Sequence, residues 1–218
     1  AFCFYNEDEC HSIFICLFFM KKILLINCFL LLSCPLFAQK KAKAYKDGEW
    51  LKYKMSYSGF FKAGTAELSL KETELEGKKV FHANGFGKTS DFIGWFFKVS
   101  DTYESYFDFN NNVPYLFKRD VNEGGYIIKR DTKFDHETKI ATVEDFKYNT
   151  IKEVPFDNVQ DMISAFYYLR NIDVDTIKTG DEIDLNMFFD SKTFAFKLRF
   201  LGNEVIKTKF GKIKTIKL

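Results

Sequence analysis

Asp101 and Glu104 stand three positions apart just after a dense aromatic run, and a third acid, Asp161, opens a stretch of helical periodicity. Two carboxyl groups about 5–10 Å apart across a cleft are the chemistry of glycoside hydrolysis, one protonating the leaving oxygen while the other attacks or activates water. A spacing of three along a strand sends two side chains to opposite faces, so this pair meets only if a bulge intervenes. Asp101, Glu104 and Asp161 define a carbohydrate-active hydrolase reading that depends on that geometry. Solvated or ion-paired acids are the plainer alternative.

Other chemistry is thinner. His82 and His136 are far apart, and no H-x-x-x-H or H-E-x-x-H spacing occurs. Both read as structural. There is no G-x-S-x-G elbow and no glycine-rich loop opening a helix. All five cysteines (Cys3, Cys10, Cys16, Cys28, Cys34) precede Ala38, so a domain beginning after it has no disulfide, thiolate metal site or cysteine nucleophile. No metal, cofactor or catalytic residue is assigned. The aromatic run Phe92–Phe97 is the strongest candidate for a role beyond packing. Trp95, Phe96 and Phe97 could contact an apolar chain or a sugar face, with Arg119 anchoring a phosphate or carboxylate. Against this stands ordinary core packing, the usual fate of aromatic side chains.

The elements that must position these residues are mostly strands. Alternation with a period of two runs through Glu49–Tyr57, Lys62–Glu72 and Val80–Gly87, which predicts an antiparallel meander turning at Gly59 and at Glu76-Gly77-Lys78. Ser90–Val99 predicts a short helix or an apolar loop. Strands resume at Thr102–Phe109, Val113–Arg119 and Tyr126–Thr132, with a hairpin over Lys133–Val154. One segment is convincingly helical. Asn158 can cap it, Asp161 opposes the dipole, and Val159, Met162, Ile163, Phe166 and Leu169 fall at helical spacing. Alternation returns at Ile183–Phe189 and Phe194–Phe200, and Gly202-Asn203 begins another return. The expected fold is mainly β: a single curled antiparallel meander sheet of about ten strands, a partial barrel, with one main helix and a short aromatic-rich helix or loop.

Met20–Gln39 has the three parts of a secretory signal: Lys21 and Lys22, the apolar run Ile23–Phe37, and the small residue Ala38 before a cut. Residues 1–19 read as an untranslated or mis-started leader, 20–38 as the signal, and 39–218 as one β-rich domain. Leu31-Leu32-Ser33-Cys34 resembles a lipobox, but Leu32 and Pro35 fit it poorly, so soluble export to the periplasm or cell envelope is favoured over a lipoprotein. Lys212–Leu218 still reads as a strand, and further strands are expected beyond Leu218. The net charge of +2 shows no like-charge block and argues against nucleic acid as a partner. No segment after Ala38 is apolar for long enough to span a bilayer as a helix.

Several segments resemble the bacterial DUF3108 family of exported proteins of unknown function. They are Gly48-Glu49-Trp50-Leu51-Lys52-Tyr53, Gly64-Thr65-Ala66, Val99-Ser100-Asp101-Thr102-Tyr103-Glu104-Ser105, and the helical stretch Gln160-Asp161-Met162-Ile163-Ser164-Ala165-Phe166-Tyr167-Tyr168-Leu169-Arg170. The resemblance implies a mostly antiparallel β fold in a Gram-negative envelope and brings no catalytic residues. Asp101, Glu104, Ser105, Asp161, Ser164 and Arg170 are the polar positions of these segments. Three functions stay open: a non-enzymatic domain binding an envelope lipid or glycan, the hydrolase, and a structural partner that docks an envelope protein through an exposed sheet edge.

Overall fold

Period-two alternation becomes an eight-stranded antiparallel meander. The structure is a computed structural model that describes residues 43–57 and 61–218; the leader, the signal segment, Cys34 and the turn at Gly59 lie outside the described residues. The strands are β1 (Trp50–Tyr57), β2 (Phe61–Leu75), β3 (Lys78–Thr89), β4 (Ser100–Asp108), β5 (Pro114–Glu123), β6 (Tyr126–Asp135), β7 (Ile140–Asp145) and β8 (Thr150–Pro155). Each pairs with its neighbours in chain order, and β1 and β8 are the two edges, so the sheet is not closed into a barrel. Short turns make this order. Glu76-Gly77 and Gly124-Gly125 have positive φ at both positions, the twist that two-residue hairpins require.

Further strands follow. The pair β9 (Val159–Gln160) and β10 (Glu182–Phe189) is parallel, β11 (Lys192–Arg199) completes a three-stranded sheet with them, and β12 (Gly202–Thr208) and β13 (Gly211–Lys217) form a separate hairpin. The expected single sheet is therefore three sheets among the described residues. The intervening helix carries the chain back so that β10 lies beside β9 rather than continuing the meander.

Helix α1 (Asp91–Gly94) is one turn in the β3–β4 connection, and helix α2 is Met162–Arg170. The cap of α2 is Asp161, not Asn158. Asp161 Oδ1 accepts from the Ile163 and Ser164 amides at 2.8 Å each, and Ser164 Oγ accepts from the Asp161 amide at 2.9 Å. This reciprocal box satisfies the open amides of the first turn. Val159 is left to pair with Asn186 of β10.

The core lies on one face of the large sheet. Leu68, Leu70, Phe81, Ala83 and Phe107 pack with Tyr45 and Tyr167, while Phe117, Phe134, Ala141 and Val143 pack with Phe156, Val159 and Phe188. Ile163 of α2 touches both clusters. The helix thus covers the middle of the sheet, where strands buried on one face need a partner layer.

Candidate functional site

An apolar cavity of about 590 Å³ lies between the covered face of β1–β4 and helix α2. Its walls are Tyr53 and Met55 from β1, Ala66 and Leu68 from β2, and Met162, Ile163 and Phe166 from α2. Ile93 and Val99, at either end of the aromatic segment, complete the rim. The volume falls in the range of small-molecule sites, roughly 300–1,000 Å³.

Two glycines create it. Gly85 sits opposite Leu68 and Tyr103, and Gly87 opposite Ala66 and Asp101. A Cβ on Gly85 would stand 3.2 Å from Ile163 Cδ1, so the helix approaches the backbone closely there. A Cβ on Gly87 would meet no atom of the described residues within 4 Å. Side chains on alternate residues share a face, and two missing ones leave a trough that Ala66 does not fill. Asp101 and Tyr103 of β4 are polar residues of the lining, together with Glu67, Lys88 and Thr89 of β2 and β3. Asp101 is nearly buried and accepts the Asn122 amide at 3.0 Å. Burial, reinforced by Asp101, raises the Tyr103 phenol above its ordinary value and keeps its proton on.

The three candidate acids are not gathered. Glu104 points to the opposite face, where its carboxylate meets His82 Nε2 at 2.8 Å and His82 stacks on Tyr106. Asp161 is fully buried at the helix cap. Of the three, Asp101 alone lines the cavity. His136 Nε2 donates to the Pro114 carbonyl at 2.7 Å.

The aromatic candidates stand outside the cavity. Trp95 is 82% and Phe96 70% exposed, and Phe97 rests its ring against Gly124 while 51% exposed. Arg119 is buried and engaged: Nη1 donates to Asp190 Oδ1 at 2.6 Å, and the guanidinium lies 4.2 Å from the Phe189 ring centre. Arg130, directly across from Arg119, also donates to Asp190 and pairs with Asp145. Asp190 and Ser191 form the β10–β11 turn with φ of 47° and 60°. Asp tolerates positive φ better than most residues and Ser less well, and the two arginines hold the turn through Asp190.

The remaining polar positions are fasteners. Ser105 Oγ donates to Asp161 Oδ2 at 2.6 Å, tying the helix cap to the central strand β4. Burial pushes the Asp161 carboxyl up to about 6, against the lowering effect of Ser105 and the two amides. Arg170, at the other end of α2, makes a forked pair with Glu49, Nη1–Oε1 2.6 Å and Nη2–Oε2 2.8 Å. The family model described as protein of unknown function (DUF3108) matches residues 52–218. The chain belongs to the DUF3108 family. No curated protein and no solved structure matches it.

Within this DUF3108 chain, Ser105 with Asp161 and Arg170 with Glu49 thus hold α2 at its two ends, and the cavity forms under the helix. Sequence reasoning missed Gly85 and Gly87 as the source of that space, although G-x-G inside a strand is a recognisable sign of close approach or missing volume. It also missed Asp190, whose partners come from β5 and β6. Among the described residues no helix is long and apolar enough to cross a membrane.

Proposed function

We propose that this is a non-catalytic cell-envelope domain that holds one apolar chain, such as the acyl chain of an envelope lipid, in the cavity beneath α2. The observation that carries the reading is the cavity itself, with walls of Tyr53, Met55, Leu68, Met162, Ile163 and Phe166 and a floor emptied by Gly87. Apolar burial supplies the affinity at about 0.8 kcal/mol per methylene before the costs of immobilisation. The acids do not favour hydrolysis, because Asp101 and Glu104 occupy opposite faces of β4 and Asp161 serves the helix cap. Export rests on the signal-like Met20–Gln39 segment.

Titration of the full chain with cis-parinaric acid tests the cavity. Saturable fluorescence is expected in the parent. Gly87→Leu, whose side chain would project into open space, should weaken it by about tenfold or more while leaving the far-ultraviolet spectrum intact. Equal binding by parent and variant, or no saturable binding, rules the reading out. Cell fractionation with amino-terminal sequencing tests export. Envelope material beginning at Gln39 is expected, and a cytosolic product retaining residues 1–38 contradicts it.

A docking role is the second reading. The β12–β13 hairpin exposes the cross-strand pair Ile206 and Ile213 on one face and Val205 on the other, apolar positions that a partner could cover. Cross-linking at Val205 in intact cells checks it, and absence of any protein adduct removes it.

A further inference from the structure

Trp95 and Phe96 are large aromatic side chains that the fold holds out in water. Their rings touch each other at a centroid distance of 4.8 Å, yet they are 82% and 70% exposed. The protrusion is built, not frayed. Gly94 donates to the Ser90 carbonyl at 2.7 Å, Trp95 to Asp91 at 3.2 Å and Phe97 to Ile93 at 2.8 Å, and the Phe97 ring is seated on Gly124. Holding such rings in water is unfavourable unless something covers them in use.

The same segment forms the mouth of the cavity. Ile93 and Val99 line the cavity while Trp95 and Phe96, between them in sequence, point away. Exposed cations surround it. Lys88 is the penultimate residue of β3 and Lys98 follows the aromatic run; Lys62 is tied to it through its carbonyl, which accepts from Ser90 Oγ at 2.8 Å. Asp91 and Glu123 are acids of the same region, and Glu67 and the buried Asp101 line the cavity behind it, so the positive character is local to the lysines that flank the rings in sequence.

We propose that Trp95, Phe96 and Phe97 are an interfacial docking element that seats the mouth of the cavity on an anionic phospholipid surface. Tryptophan and phenylalanine partition into the headgroup boundary, where an amphipathic ring meets both phases. Lysines beside them gain from an anionic surface. A rigid protein partner would need a pocket matching this narrow protrusion to bury much of it, whereas a lipid interface deforms around it. The purpose of such docking, passing an apolar chain between bilayer and cavity, rests on the function proposed above; its measurement does not.

The protein has two tryptophans, so Trp50→Phe in the full chain leaves Trp95 as the sole reporter. The probe is vesicles of phosphatidylethanolamine with phosphatidylglycerol, with and without acyl-chain bromination. Trp95 emission is expected to shift to the blue and to be quenched by the brominated lipid, and high salt should weaken the effect. In a chain that keeps Trp95, Phe96→Ser with Phe97→Ser should lower the partition coefficient by about tenfold or more. Phe96→Ser alone, at a 70% exposed position, guards against a folding defect. Unchanged Trp95 emission on vesicles overturns the proposal, as does a double variant that partitions like its parent. So does an emission change that follows protein concentration in the absence of lipid, since a second copy of the chain then covers the patch. Gly87→Leu separates the two readings. Docking without parinaric acid binding is expected of it, and a parent that binds parinaric acid but never docks refutes the interfacial role alone.

Discussion

Ser105 and Asp161 are 56 residues apart in sequence and share a fully buried hydrogen bond of 2.6 Å, hydroxyl to carboxyl, that fixes the start of helix α2 to the middle strand of the large sheet. Everything on the covered face depends on where α2 sits. Its Met162, Ile163 and Phe166 form the roof of the cavity, and its first turn is held by the same carboxyl group that Ser105 engages.

Asp161 makes stability depend on pH in a particular direction. Its folded value of about 6 lies above the ordinary 3.8, so the folded state holds this proton more tightly than the unfolded chain. Its contribution is therefore fully present below pH 3.8 and is lost as pH rises through about 6. The loss is on the order of 3 kcal/mol. Asp161→Asn keeps an acceptor for the two amides and carries no charge. Urea midpoints measured from pH 4 to 8 should fall for the parent relative to this variant, and parallel profiles would contradict the assignment. Ser105→Ala removes a group that lowers the value, so the fall should move to higher pH and about 1–3 kcal/mol should be lost at pH 7.

The fork between Arg170 and Glu49 should tolerate no loss of shape. Arg170 also lies over the rings of Tyr45, Phe166 and Tyr167 at 5.3–5.6 Å. Arg170→Lys keeps the charge but neither the planar fork nor the stacking, and a cost of about 1–2 kcal/mol is expected in chemical denaturation. A Glu49→Gln, Arg170→Lys cycle should show coupling, and simple additivity would count against the pair.

Asp190 is expected to be the most sensitive turn residue. Asp190→Asn preserves the tolerance of positive φ but leaves the buried Arg119 without its anion. A loss of about 2–4 kcal/mol is predicted, concentrated in the amides of β10 and β11. Hydrogen exchange localises the effect, and uniform exchange over the whole sheet would place the defect elsewhere.

Tyr167 has a buried hydroxyl that makes no hydrogen bond among the described residues. Burial holds the phenol above its ordinary range, with Glu49 adding to the rise. Removing an unsatisfied polar group restores its desolvation cost, so Tyr167→Phe should be neutral or stabilise by about 1 kcal/mol in urea unfolding. Marked destabilisation would reveal a partner for the hydroxyl.

The strands were legible because half-buried sheets write a period of two into their residues, and Leu68, Leu70, Phe81 and Phe107 obey it. Helix α2 was legible for the same reason at its own period, although its cap was misplaced at Asn158. Either residue can cap a helix, and the choice is made by the box with Ser164 and by the pull of β10 on Val159. The candidate site was legible only in pieces. Phe92–Phe97 stood out by composition, but exposure is a property of what surrounds a side chain, and composition carries no record of it.

The neighbour-to-neighbour order of β1–β8, the polar turns between them and the absence of thiols after Ala38 were determined by sequence alone, because each follows from local backbone preference or from residue type. Tertiary structure decided the rest: that Ser105 meets Asp161, that Arg170 meets Glu49, that Arg119 is occupied by Asp190, and that Gly87 faces empty space. These are contacts between residues far apart along the chain. Sheet register and helix placement set them together, and no local pattern encodes either.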